Sequence, residues 1–281
     1  MEPNFAEVER IIAASLAEDV GTGDATAQLL IPETATARLS FINREPMVMA
    51  GGFLVPRVFA QVDKAIKTTV NVAEGVKVEA RTELIRVEGN ARAILTAERV
   101  ALNLLQRMAS VATVAAAYVE AVRGTKAVIL DTRKTMPGLR VLDKYAVCAG
   151  GATNHRMRLD DGILIKDNHI AVCGSVALAL QRAQAGNKNN LPIEVECDTL
   201  QQMEEALAAG ATLIMLDNMS PAMMREAVRI NAGRAKLEAS GNVDIDNVRE
   251  VAETGVDFVS IGRLTNSVKN VDIGLDSIVE K

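Results

Sequence analysis

Apolar residues recur at helical spacing near the start of the chain, at Phe5, Val8, Ile11, Ile12 and Leu16, and predict an amphipathic helix over residues 4–18. The turn-rich stretch 18–24 ends it. Residues 35–49 read as extended, with Ala37, Leu39 and Phe41 on one face. Gly51-Gly52 breaks that run, and Phe53, Val55, Val58, Phe59 and Val62 predict a helix over 53–65. From Thr68 the period falls to two. Val70 and Val72 lead to a turn at Glu74-Gly75, then Val76 and Val78, then Leu84, Ile85 and Val87 up to a second turn at Glu88-Gly89-Asn90. Together these segments predict a small helix-plus-sheet domain with largely antiparallel strands. A long Ala- and Leu-rich helix over about 93–122 follows. Its charges nearly vanish after Arg107, so its second half is expected to be buried.

The rhythm changes at Lys126. Short apolar strands at 127–131, 163–167, 193–198, 213–217, 236–240 and 258–262 alternate with amphipathic helices at 176–185, 200–209, 221–232 and 245–253. Such alternation predicts a parallel sheet. Six units fit a closed or nearly closed barrel, with an open doubly wound sheet as the competing topology. The polar residues favour the barrel: each strand ends in chemistry-bearing residues, and in a barrel those ends share one rim. The last residues, with Ile273, Leu275 and Ile278, are expected to pack back onto the first domain.

Charge and composition narrow the function. The formal net charge is -5, aromatics make up 2% and Trp is absent, which argues against a basic nucleic-acid surface and against base-stacking platforms. Cys148, Cys173 and Cys197 form no CxxC pair and no disulfide framework, and are read as buried or half-buried thiols of a reducing cytosol. The two histidines, His155 and His169, match no zinc spacing. The N-terminus has no leader pattern, and no secretory signal is expected.

Against that acidic background, cations gather between two apolar runs. Arg133, Lys134, His155, Arg156 and Lys166 sit at strand ends or in the loop between them. If those two strands are parallel neighbours, the cations converge on one pocket suited to a small polyanion. The competing reading is a set of surface ion pairs with Asp143, Asp160, Asp161 or Asp167. Glu194 and Glu196, two apart on a strand, point to one face and with Asp217 predict an acidic cluster opposite. It could hold ribose hydroxyls, bind Mg²⁺ against substrate phosphates, or merely pair with the cations. Ser240-Gly241-Asn242 and Ile261-Gly262-Arg263 place glycines at the last two strand–helix turns, where backbone N–H groups can approach a phosphate. Arg99, on the long helix, reads alone as a solvated or capping residue. Met203, Met215, Met219, Met223 and Met224 read as core filler.

Several of these motifs occur together in one family. Residues 18–24 (Glu-Asp-Val-Gly-Thr-Gly-Asp), Glu98-Arg99, Asp131-Thr132-Arg133-Lys134-Thr135, Asn154-His155-Arg156, Ile165-Lys166-Asp167-Asn168-His169-Ile170, Glu194-Val195-Glu196 and Leu216-Asp217-Asn218 make the chain resemble quinolinate phosphoribosyltransferases over essentially its whole length. The resemblance implies an α/β protein. An N-terminal α/β sandwich domain (1–110, joined by the tail 271–281) would precede an open, TIM-like α/β barrel (111–270). It implies transfer of phosphoribosyl from phosphoribosyl pyrophosphate to quinolinate with decarboxylation, in the cytoplasm, with Mg²⁺. It also implies a homodimer in which Arg99 enters the neighbouring site. Arg133, His155, Arg156 and Lys166 would surround quinolinate, and Lys134 would reach the pyrophosphate. Glu196 and Asp217 would hold the ribose and, with it, the metal. Ser240, Gly241, Gly262 and Arg263 would line the 5′-phosphate, with Thr132, Asn242 and Ile261 alongside. Lys134, Lys166, Glu196 and Asp217 are the catalytic candidates. The chain departs from the family's usual residues at Ala109-Ser110, Cys148-Ala149 and Asn266.

Overall fold

The structure, a computed structural model, describes residues 3–277. The chain divides into two compact units: 1–116 with 135–151 and 267–281, and 117–134 with 152–266. The segment 135–151, expected from the sequence within the barrel's span, thus groups with the first unit.

In chain order the first elements are α1 (Phe5–Val20), α2 (Ala25–Leu30), β1 (Thr36–Asn43), β2 (Met47–Val48), α3 (Leu54–Val62), β3 (Lys67–Val70), β4 (Lys77–Val78), β5 (Glu83–Asn90) and α4 (Ala91–Ala121). The second half of the chain supplies β6 (Val128–Leu130), α5 (Arg140–Ala149), β7 (Ile163–Ile165), α6 (Asp167–Cys173), α7 (Val176–Gly186), β8 (Ile193–Cys197) and α8 (Leu200–Ala208). It continues with β9 (Leu213–Asp217), α9 (Pro221–Asn231), β10 (Lys236–Ser240), α10 (Val248–Glu253), β11 (Phe258–Ser260), α11 (Arg263–Asn266) and β12 (Ile273–Ser277).

In the first unit β12-β1-β5-β3 form an antiparallel sheet, so the tail returns as expected; Ile278 lies outside the described residues. The turn expected at Glu74-Gly75 is present, and β4 beyond it pairs with β2 rather than with β3. The Glu74 carboxylate accepts the N–H groups of Gly51 (2.9 Å) and Gly52 (2.7 Å), which fastens the turn to that loop. Glu88-Gly89-Asn90 is strand, not turn: it pairs with Thr36–Arg38. The Asn90 side chain then accepts the Ala93 N–H at 3.1 Å, so the strand runs straight into α4. By length and composition α4 could cross a bilayer, yet 61% of its most apolar window is buried inside the protein, as in a core helix.

The second unit holds six parallel strands in the order β6-β11-β10-β9-β8-β7. Buried on both faces, they read as the near-continuous apolar runs seen in the sequence. Side-chain caps start the intervening helices: Ser175 Oγ accepts the Leu178 N–H, Thr199 and Gln202 form a capping box, and Ser220 Oγ accepts the Met223 N–H. β6 and β7 are not neighbours, contrary to the condition attached to the cation cluster. They lie at opposite ends of the strand order, and Thr153 bridges to Leu130 on the outer side of β6. The sheet is therefore an open barrel, whose edge strands can still face a common rim.

Candidate active site

Strand register sets the wall of the site. Glu196 pairs with Met215 and Met215 with Glu238, while Ser240 pairs with Asp217, so side chains from β8, β9 and β10 rise on one face. At the C-terminal ends of the strands a cleft of about 520 Å³ is lined by Thr132, Arg133, Lys134, His155, Arg156 and Lys166 on one side. Glu196, Asp217, Ser240, Gly241 and Asn242 complete it, over a floor that includes Leu164 and Met215. The cations thus meet despite the separation of β6 and β7. A smaller cavity of about 190 Å³ shares Lys134, Ser240, Gly241 and Asn242 and adds Gly262, Arg263 and Asn266. Ile261 lines neither; it is 1% exposed, and its N–H donates to Leu130 O. Arg99 is exposed on α4, in the first unit, and is not among the cleft's lining residues.

Each cation is held by its loop. The carboxylate of buried Asp131 accepts the His155 N–H at 2.8 Å, tying the end of β6 to the Asn154-His155-Arg156 loop. Arg156 donates to Gly162 O at 2.9 Å. Burial first, and then the neighbouring Arg133 guanidinium, depress the Arg156 pKa. Two guanidiniums so close favour an anion between them. The Lys166 ammonium is hydrogen-bonded to Glu196. Burial raises the Glu196 pKa, the Lys166 bond opposes that rise, and nearby Asp217 adds to it. None of the expected ion pairs with surface aspartates consumes Lys166; Asp143 instead takes Arg107, at 2.8 Å.

The glycine turn is built around Asn218. Its side chain donates to Asp217 and accepts from Asn242, at 2.6 and 2.9 Å, and its N–H donates to Ser240 O. Gly241 sits at φ +86°, and a Cβ there would collide with Asn218, so no other residue fits. At Gly262 a Cβ would stand 2.9 Å from Lys134 Cδ, so the missing side chain lets the lysine stem cross the turn. The Lys134 carbonyl accepts from Thr265 Oγ1 at 2.8 Å.

The acidic cluster differs from expectation. Glu194 does not line the cleft; it is 3% exposed and its Oε2 lies 2.9 Å from His155 Nε2. Beside it is Glu238, 1% exposed, which sequence reasoning passes over. Its signal is its position two residues before Ser240 on one strand, the spacing that also links Glu194 to Glu196. Burial, and then Glu194, push the Glu238 pKa well above the usual carboxylate range. The folded state therefore holds this proton where the unfolded chain releases it. Its stabilising effect is complete below the unfolded glutamate pKa and is lost as pH rises through the higher folded value. Glu238→Gln removes that linkage, so melting temperature should fall less steeply than in the wild type as pH rises above the usual carboxylate range. Parallel profiles would contradict this.

The chain is similar in sequence and structure to known proteins. Residues 24–109 match the N-terminal domain and residues 111–276 the C-terminal domain of quinolinate phosphoribosyl transferase. A nicotinate-nucleotide pyrophosphorylase (carboxylating) of Mycobacterium leprae is 44% identical over 97% of this chain and 98% of its own. A probable enzyme of the same name from Bacillus subtilis is 38% identical, over 97% of this chain and 94% of its own. The solved nicotinate-nucleotide pyrophosphorylase from Francisella tularensis superposes with a TM-score of 0.92 at 41% identity, covering 98% of this chain and 97% of that one. With two domain matches spanning most of its length, the chain belongs to the quinolinate phosphoribosyltransferase family.

Proposed function

We propose that this chain joins quinolinate to phosphoribosyl pyrophosphate and releases nicotinate mononucleotide, pyrophosphate and CO₂, a step of de novo NAD biosynthesis. The observation that carries the reading is the convergence of Arg133, Lys134, His155, Arg156 and Lys166 in one cleft, facing Glu196 and Asp217. Quinolinate is a dianion. Arg133 and Arg156 grip its carboxylates and Lys166 adds charge, which aims the ring nitrogen at the sugar C1. As the C1–pyrophosphate bond breaks, positive charge grows on the sugar, where Glu196 and Asp217 stabilise it. Lys134 takes up charge on the leaving group. In the pyridinium that results, the carboxylate beside the ring nitrogen leaves as CO₂. The electron pair stays on that ring carbon, stabilised by the adjacent positive nitrogen, until a proton binds the carbon where CO₂ left.

Mg²⁺ fits the donor set. Glu196 and Asp217 are hard oxygen donors on adjacent strands; burial raises the Glu196 pKa and Asp217 adds to it, a tension that a bound cation would relieve. Bound with the substrate, the ion would neutralise pyrophosphate charge. The backbone turns at Gly241 and Gly262 suit the 5′-phosphate. We further propose a homodimer in which Arg99 completes the neighbour's site. A cytoplasmic location accords with three free cysteines, of which Cys197 is buried with its thiol pushed up to about 12 by burial.

Supplying quinolinate and phosphoribosyl pyrophosphate and measuring both CO₂ and pyrophosphate tests the reaction. Equal release of the two supports it. Turnover of nicotinate without CO₂, or no turnover of either acid, rejects it. Mixing Arg99→Ala with Lys166→Ala protein should restore activity if the site is shared, and no recovery would count against the exchange.

A further inference from the structure

Beneath the cleft, His155, Glu194 and Glu238 bring their polar atoms within 4.8 Å of one another. The His155 ring is oriented from both nitrogens. Nδ1 accepts the Arg156 N–H at 2.7 Å, so Nε2 carries the proton and donates it to Glu194 Oε2 at 2.9 Å. Glu238 Oε1 is 3.7 Å from the same Nε2, beyond hydrogen-bond reach. Glu194 Oε1 and Glu238 Oε1 are both buried and face no donor supplied by another residue. Two buried carboxyl groups in contact are satisfied by one proton between them. Both oxygens are closed off from solvent, beside a cavity of about 270 Å³ with Leu130, Ile163, Leu213 and Phe258 among its walls.

The same geometry does not suit a metal ion. Coordination through Nε2 would move the ring proton to Nδ1, which would then point at the Arg156 N–H, donor against donor.

We propose that Glu238 is a positioning residue: by donating a hydrogen bond to Glu194 it fixes the His155 ring, and through the ring the Arg156 edge of the cationic wall. The proposal rests on the function proposed above for its kinetic readout, but not for its structural one. Glu238 lies on β10, at the middle of the sheet, and is not among the residues lining the cleft. Its influence passes along Glu238, Glu194, His155 and the Arg156 backbone, through the proposed carboxyl–carboxylate bond and then the two His155 hydrogen bonds.

The test compares Glu238→Gln with Glu238→Leu in the full-length protein. The glutamine amide retains a donor toward Glu194, and the KM for quinolinate should stay within about threefold of wild type. The leucine has no donor, and that KM should rise about tenfold or more while the KM for phosphoribosyl pyrophosphate is unchanged. A wild-type quinolinate KM in Glu238→Leu, or equal rises in both KM values, would overturn the proposal, as would glutamine failing like leucine. Nitrogen NMR of the imidazoles, with His155 assigned by comparison with His169→Gln, needs no substrate. Wild type and Glu238→Gln should show His155 as the Nε2–H tautomer alone, and Glu238→Leu a mixture; an unchanged single tautomer in Glu238→Leu would also overturn it. If wild-type protein did not consume quinolinate, the functional reading would fall while the tautomer result still judged Glu238.

Discussion

Arg133→Ala should lower kcat/KM for quinolinate by about a hundredfold or more and leave melting temperature nearly unchanged. The two halves of this expectation share one cause. In the folded protein burial depresses the Arg156 pKa and the Arg133 guanidinium adds to the depression, so Arg133→Ala relieves a like-charge repulsion that offsets the contacts it removes. In the substrate complex the same two groups clamp a dicarboxylate, and half of the clamp is gone. Arg133→Lys should recover only part of the loss, because an ammonium restores charge without the paired donors of the fork. Steady-state kinetics beside a thermal melt decide it. Near-normal kinetics in Arg133→Ala would remove this residue from the site.

Lys166→Ala should be as damaging to turnover, by about a hundredfold or more, and should also destabilise the protein. Its partner Glu196 is 8% exposed, and without the ammonium that carboxylate is left buried with Asp217 beside it. The Glu196 pKa, already raised by burial, then rises further. Lys166→Ala should therefore lose more stability at high pH than at low pH, where a protonated Glu196 needs no partner. Adding Glu196→Gln should restore much of the stability and none of the activity. Kinetics of the single variant and melts of both across pH separate the two roles. Wild-type turnover in Lys166→Ala, or a stability loss independent of pH, would contradict them.

The strand–helix rhythm was legible because a parallel strand covered on both faces needs an unbroken apolar run, as in Leu213–Asp217. Rim residues were legible for a related reason: Lys166, Asp217 and Ser240 interrupt such runs at one end. The pairing of strands was not. Nothing in the residues of β6 announces that its partner is β11, the last strand of the sheet, rather than β7. Helix α5 was hidden because Asp143 and Lys144 look like solvent positions, yet both are buried, Asp143 against Arg107. Ile261 was read with its glycine neighbour, but its N–H belongs to the sheet. Glu238 escaped notice because one charge within an apolar strand resembles an edge residue until its neighbours across the barrel are known.

The central claim is that these cations form one receptor for a dianion. Calorimetric binding of quinolinate and of nicotinate, each to wild-type and Arg133→Ala protein, tests it most directly. The wild type should prefer the dicarboxylate by about tenfold or more, and Arg133→Ala should lose most of that preference. Equal affinity for the two acids, or a preference untouched by the substitution, would contradict it.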